Sequence, residues 1–171
     1  MDYVVAQVNI ARLMAPLDSP RLVDFVAALD PVNAVADGAP GFVWRLQTED
    51  GNATSLRVFE SDAEGADGGI LLNMSVWESV EALALYVYGD AHRAVLRRRR
   101  EWFKQAKDVY AALWWIPRGH VPIIHEAEER VKHLRAHGPT PHAFSLKVHF
   151  PAPDSADAGP RHSPEDWACT V

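Results

Sequence analysis

Residues 3 to 13, YVVAQVNIARL, alternate, and this run constrains the fold more than any other stretch. Val4, Ala6, Val8 and Ile10 fall on one face, and Tyr3, Val5, Gln7 and Asn9 fall on the other. Period two marks a strand, here with one fully apolar face and one mixed face. Such a strand needs cover on both sides.

The rest of the chain supplies partners for it. Asp18-Ser19-Pro20 is a cap followed by proline, and opens a helix with Leu22, Phe25, Val26 and Leu29 on one stripe. Asp30-Pro31 is expected to restart a short helical piece ending at Gly38. Residues 42–49 and 55–60 read as strands joined by a turn with a DG signal, and 62–69 as a loop. Residues 70–77, ILLNMSVW, form a further strand. Ser79 caps a helix carrying Val80, Leu83, Ala84 and Val87, and Asp90 is expected to cap a second segment over 91–106. Residues 110–116 form a strand, 123–136 a helix stopped by Gly138-Pro139, and 143–150 a closing strand with Phe144, Leu146, Val148 and Phe150 on one face.

Strand, helix, strands, helix, strand, then an added helix and strand is an α+β order, with an antiparallel sheet and helices on one face. The other face, with Tyr3 and Val5 of the first strand and one of the two faces of ALWWI, is too apolar to stay wet and calls for a second copy of the same sheet, since two-fold pairing is the commonest oligomer. The expected unit is therefore residues 1–150. Residues 151–171, rich in Pro, Asp and Ala, form a flexible tail whose one possible anchor is Trp167.

Composition narrows the class. A formal net charge of -6 argues against a nucleic-acid surface. The single Cys169 gives no disulfide framework and no zinc spacing, so a reducing, cytoplasmic setting is expected. No apolar run approaches the ~20 residues of a membrane helix.

The blocks AQVNI, NMSVWESVEAL, YGDAHRAVLRRRREWF, ALWWIPRGHVP, EAEERVKHL and GPTPHAF resemble an uncharacterised bacterial family, a domain of unknown function, in the dimeric α/β-barrel superfamily. That superfamily includes the antibiotic biosynthesis monooxygenase-like proteins. The resemblance implies a ferredoxin-like subunit, a homodimer through the sheet face, and a small-molecule pocket between sheet and helices. It places Asn9 where oxygenase members hold an asparagine that hydrogen-bonds substrate. It places Trp77–Ser79 at the junction that opens the pocket-lining helix. The iron-binding histidine of haem-degrading members falls about one turn beyond His92, where this chain has Leu96. Haem at His92 would need another register.

Several residues are candidates for chemistry. On the helix after Asp90, at about 100° per residue, His92, Val95, Leu96, Arg99 and Phe103 share a face, while Arg97, Arg98 and Arg100 point elsewhere. Arg99 either meets a structural carboxylate or binds an anionic oxygen, and His92 either bonds a carbonyl or moves a proton. Asn9 and Gln7 share the mixed strand face, where asparagine is disfavoured without a partner or a ligand. Trp77, Tyr86, Trp114 and Trp115 are candidates for an aromatic lining or for plain core. Trp114 and Trp115 point to opposite faces, one under helices and one into the dimer barrel. Glu126 and Arg130 form an i,i+4 ion pair. His133 and His137 lack the HExxH pattern, and no metal site is expected.

The expectation is a small-molecule enzyme, cofactor-independent and monooxygenase-like or a cyclase/isomerase, acting on an aromatic or polyketide-like metabolite. The alternative is a haem or hydrophobic-ligand binding protein without turnover.

Overall fold

The computed structural model describes residues 2–47, 68–105 and 110–163, except the side chains of 91–96. The strand expected at 55–60, residues 48–49 of the strand expected at 42–49, the DG turn and Trp167 lie outside the described residues. In chain order the elements are β1 (Tyr3–Arg12), a 3-10 turn (Pro20–Leu22), α1 (Val23–Asp37), β2 (Phe42–Arg45) and β3 (Ile70–Trp77). Then come α2 (Val80–Val87), α3 (Asp90–Trp102), β4 (Ala111–Pro117), α4 (Ile124–His137), β5 (Val148–His149) and β6 (Arg161–His162).

The main sheet has the order β2-β3-β1-β4, and β1 runs antiparallel to both neighbours. With α1 between β1 and β2, and α2–α3 between β3 and β4, this is the ferredoxin-like topology expected from the sequence.

The alternation of β1 sorts the sheet into two sides. Val4, Ala6, Val8 and Ile10 pack with Leu72, Met74 and Val76 of β3, and with Ala112, Trp114 and Ile116 of β4. Ala127, Val131 and Leu134 of α4 belong to the same cluster. The other side carries Val5, Trp77 and Leu113 against Val80 and Leu83 of α2. Further along it, Leu13 and Leu71 pack against Phe25 of α1 and Trp102 of α3.

Helices therefore lie on both sides, not on one as expected. The face expected to meet a second copy, that of Val5, packs against α2, and the opposite face, with Val4, Ala6, Val8 and Ile10, packs against α4.

Local differences from expectation have physical causes. Pro31 does not break α1, which runs unbroken from Val23 to Asp37. Pro31 is exposed, and buried Phe25 and Ala36 dock the helix on either side of it. Asp90 is the first residue of α3 rather than its cap, Gly89 stands at the cap position, and the helix ends at Trp102. Ser79 does cap α2, its Oγ accepting from the Ala82 amide at 3.1 Å.

The run 143–150 is not a strand of the main sheet. Phe144 makes one antiparallel bridge to Leu113. Ser145 then turns the chain: its amide donates to the Val148 carbonyl at 3.1 Å, and its Oγ accepts from the Val148 amide at 3.2 Å. Phe144 and Phe150 still bury into the Trp77 cluster, so the apolar pattern marked core rather than strand. Arg161–His162 pair with Val148–His149, and Ser163 Oγ donates to the Leu146 carbonyl at 2.5 Å.

Candidate functional site

Register places two polar rows side by side on the side of the sheet that faces α1, α2 and α3. Gln7 sits opposite Ser75, and Asn9 opposite Asn73. Gln7 Nε2 donates to Ser75 Oγ at 3.2 Å, and Asn73 Nδ2 donates to Asn9 Oδ1 at 3.1 Å. Trp77 Nε1 also donates to Ser75 Oγ, at 2.9 Å. With both acceptor positions of Ser75 engaged, its hydroxyl hydrogen is left as a donor. The asparagine pair likewise leaves Asn9 Nδ2 as a donor and Asn73 Oδ1 as an acceptor.

These rows lie between two apolar clusters on the same side, one around Trp77 and one around Trp102. Asn73 is exposed, and Gln7, Asn9 and Ser75 are half-buried, while the opposite side of the same strands is fully buried. Among the described residues, the helical layer thus leaves the polar rows open. The rows resolve which side Asn9 occupies: it faces the α1–α3 layer.

The aromatic candidates divide between the two sides. Trp77 is fully buried, stacked by Tyr86 at 5.1 Å and 25° and met edge-on by Phe42 at 5.4 Å. It anchors Ser75 from beneath Tyr86. Burial pushes the Tyr86 phenol up to about 12, outweighing the Arg45 charge that favours the phenolate. Tyr86 therefore stays a neutral hydroxyl at physiological pH. Trp115 is on the same side as Trp77, its Nε1 donating to the Phe150 carbonyl at 2.8 Å.

Trp114 lies on the other side, beneath α4. Its Nε1 donates to Glu126 Oε1 at 2.7 Å. The same carboxylate meets His120 Nε2 at 2.8 Å and Arg130 Nη2 at 3.8 Å. The i,i+4 pair of Glu126 and Arg130 is thus part of a larger network. Arg130 Nη1 lies 2.8 Å from His142 Nε2 and donates to the His142 carbonyl at 3.0 Å. Burial and the Arg130 charge hold the His142 imidazole below its ordinary range. His133 packs against His137 and His142, with ring centroids 4.5 and 4.6 Å apart. Among the described residues no group of three His, Cys, Asp or Glu side chains could hold a metal ion.

His92 falls in the first turn of α3, and its side chain lies outside the described residues. Arg99 is half-buried in the same helix, in which Trp102 is the buried residue among those described. Arg98, one of the three arginines expected to be solvated, is exposed but paired. It bonds Asp24 at 2.8 Å and Glu101 at 2.9 Å, and its guanidinium lies 4.8 Å over the Trp102 ring.

Sequence reading missed Asn73, Ser75 and Arg45. The signal for the first two was present. The run Leu71, Asn73, Ser75, Trp77 is a mixed face like that of β1, and pairing the two mixed faces would have brought the asparagines together.

A ferredoxin-like α+β domain with open polar rows on its helix side is the class that fold and site define. Residues 4–160 match the family described as Domain of unknown function (DUF3291), and the chain belongs to that family. No curated protein matches it. Among solved structures, the chain is similar to SnoaB, a cofactor-independent oxygenase from Streptomyces nogalater, at 14% identity and a TM-score of 0.41, covering 72% of this chain and 100% of that one. It is also similar to NE2512, a protein of unknown function from Nitrosomonas europaea, at 6% identity and a TM-score of 0.42, covering 71% and 95%. The fold assignment rests on this chain's own strand order. No helix among the described residues is long and apolar enough to cross a membrane.

Proposed function

We propose that the protein is a small-molecule enzyme, cofactor-independent and monooxygenase-like or a cyclase/isomerase, acting on an aromatic or polyketide-like metabolite held over the polar rows. The observation that carries this reading is the open pairing of Asn9 with Asn73 beside Gln7 and Ser75. Four polar side chains in the middle strands of a sheet are costly to retain where apolar residues would pack. Their unused donors and acceptors suit a flat ligand bearing keto and hydroxyl oxygens, with aromatic side chains at one end of the rows. Donors fixed by a rigid sheet stabilise an oxygen as it gains negative charge. The resemblance supplies the reaction class, and the site supplies the residues.

The test is oxygen uptake and product formation with a panel of dihydroxynaphthalenes, with no metal or flavin added. Turnover that falls roughly 10²-fold or more in Asn9→Ala and Asn73→Ala, with melting temperature retained, supports the reading. A panel that neither binds nor turns over, with both variants as stable as the parent or more so, would mark the rows as structural. Absorbance near ~400 nm after expression with iron would instead favour the haem-binding alternative.

A further inference from the structure

One cation stands in the same rows and was not anticipated. Arg45 on β2 is the Cα partner of Ser75 on β3. Its neighbour Leu46 joins the cluster beneath α4, so Arg45 projects to the other side, where Ser75 and Gln7 lie. Arg45 Nε donates to Asp37 Oδ1 at 2.8 Å, and Nη2 donates to Oδ2 at 3.3 Å. This side-on grip fixes the guanidinium plane and leaves Nη1 outside the pair.

The pair is unequal. The Arg45 side chain is 17% exposed and the Asp37 side chain 43%. The cation is thus the more buried partner, and water screens its counter-ion more than it screens the cation. Asp37 is also the last residue of α1, the end where a helix disfavours negative charge. A buried guanidinium is costly unless paired or bound to an anion, and among the described residues this one is paired on one edge only. The Arg45 charge reaches Tyr86, whose ring stacks on Trp77 at the end of the polar rows.

The geometry points to Arg45 as the specificity-determining residue of this site, and to a flat organic anion as its ligand. Arg45 receives a carboxylate, phenolate or enolate oxygen, while the amides of Asn9, Asn73 and Gln7 bond the neutral oxygens. This inference rests on the reading of the polar rows as a ligand site.

Two probes of matched shape test it, 2-naphthoate and the neutral 2-naphthylmethanol, titrated calorimetrically into the full chain. The parent should prefer the anion by about 10- to 100-fold, the range of one hydrogen bond to a charged group. Arg45→Gln should reduce that preference to near unity and leave the alcohol's affinity intact. Arg45→Lys should keep most of it, and Asp37→Asn should increase it. Circular dichroism and melting establish that each variant is folded. A folded Arg45→Gln with the parental ratio overturns the inference. If that variant does not fold, a parental ratio in Asp37→Asn overturns it. Alcohol binding that is lost in Asn9→Ala, with no preference for the anion in the parent, keeps the ligand site and removes the role of Arg45. Failure of both probes to bind the parent at millimolar concentration removes both readings.

Discussion

Replacing Glu126 by alanine strips a buried indole of its acceptor, and the consequences can be worked out contact by contact. Trp114 is fully buried, and its Nε1 donates to Glu126 Oε1 at 2.7 Å. Losing a hydrogen bond to a charged group costs about 1.5–3 kcal/mol, more so when the donor is left without water. The His120 contact is half in solvent and adds roughly 0–1 kcal/mol. Arg130 lies 3.8 Å from the same carboxylate, and its Nε is buried with no partner among the described residues, so it too loses compensation. The expected loss is about 2–4 kcal/mol, or roughly 4–16 °C in melting temperature for a domain of this size. Urea denaturation followed by circular dichroism measures it, through the midpoint at constant slope. Trp114→Phe closes a double-mutant cycle. If the indole is what Glu126 serves, the double variant should be about 1–2 kcal/mol more stable than the single losses predict. Additivity within about 0.5 kcal/mol would refute the reasoning and make Glu126 a surface charge.

Three further outcomes are expected. His149 is buried, and that burial holds its imidazole below the ordinary value of 6.5. Its folded form binds a proton less readily than the unfolded chain, so the stability it supports is present above about pH 6.5 and is lost as pH falls below that. His149→Gln should flatten the fall in denaturation midpoint between pH 7 and 5; an unchanged slope would remove His149 as its source. Gly41 has φ 81°, and a Cβ there would lie 2.6 Å from the Ala82 Cβ. Gly41→Ala should therefore cost about 1–3 kcal/mol, and a neutral effect in denaturation would show that α2 shifts freely. Phe25 packs against Trp102 and Phe103 with centroids at 5.4 and 5.0 Å. Phe25→Ala should cost about 3–5 kcal/mol by the same assay, and a loss under 1 kcal/mol would mean that α1 and α3 are not held through this ring.

Periodicity alone was enough to identify β1, β3 and the helix stopped by Gly138, because a chain half in water must repeat its apolar residues at the period of its backbone. The Ser79 cap was legible for a similar reason: its partner, the Ala82 amide, is three residues away. Asn9 stood out because asparagine in a strand interior needs a partner. What that partner was could not be read locally, since Asn73 lies 64 residues off and Ser75 lies 68 from Gln7. Arg45 and Asp37 are near in sequence, but only the packing of β2 against β3 puts the guanidinium beside Ser75. Apolar alternation at 143–150 recorded burial but not pairing, and the Ser145 turn decided between core and strand. The largest difference came from α4. An amphipathic helix declares that it must cover something, and only the tertiary structure shows that α4 covers the Val4, Ala6, Val8 and Ile10 face of the sheet.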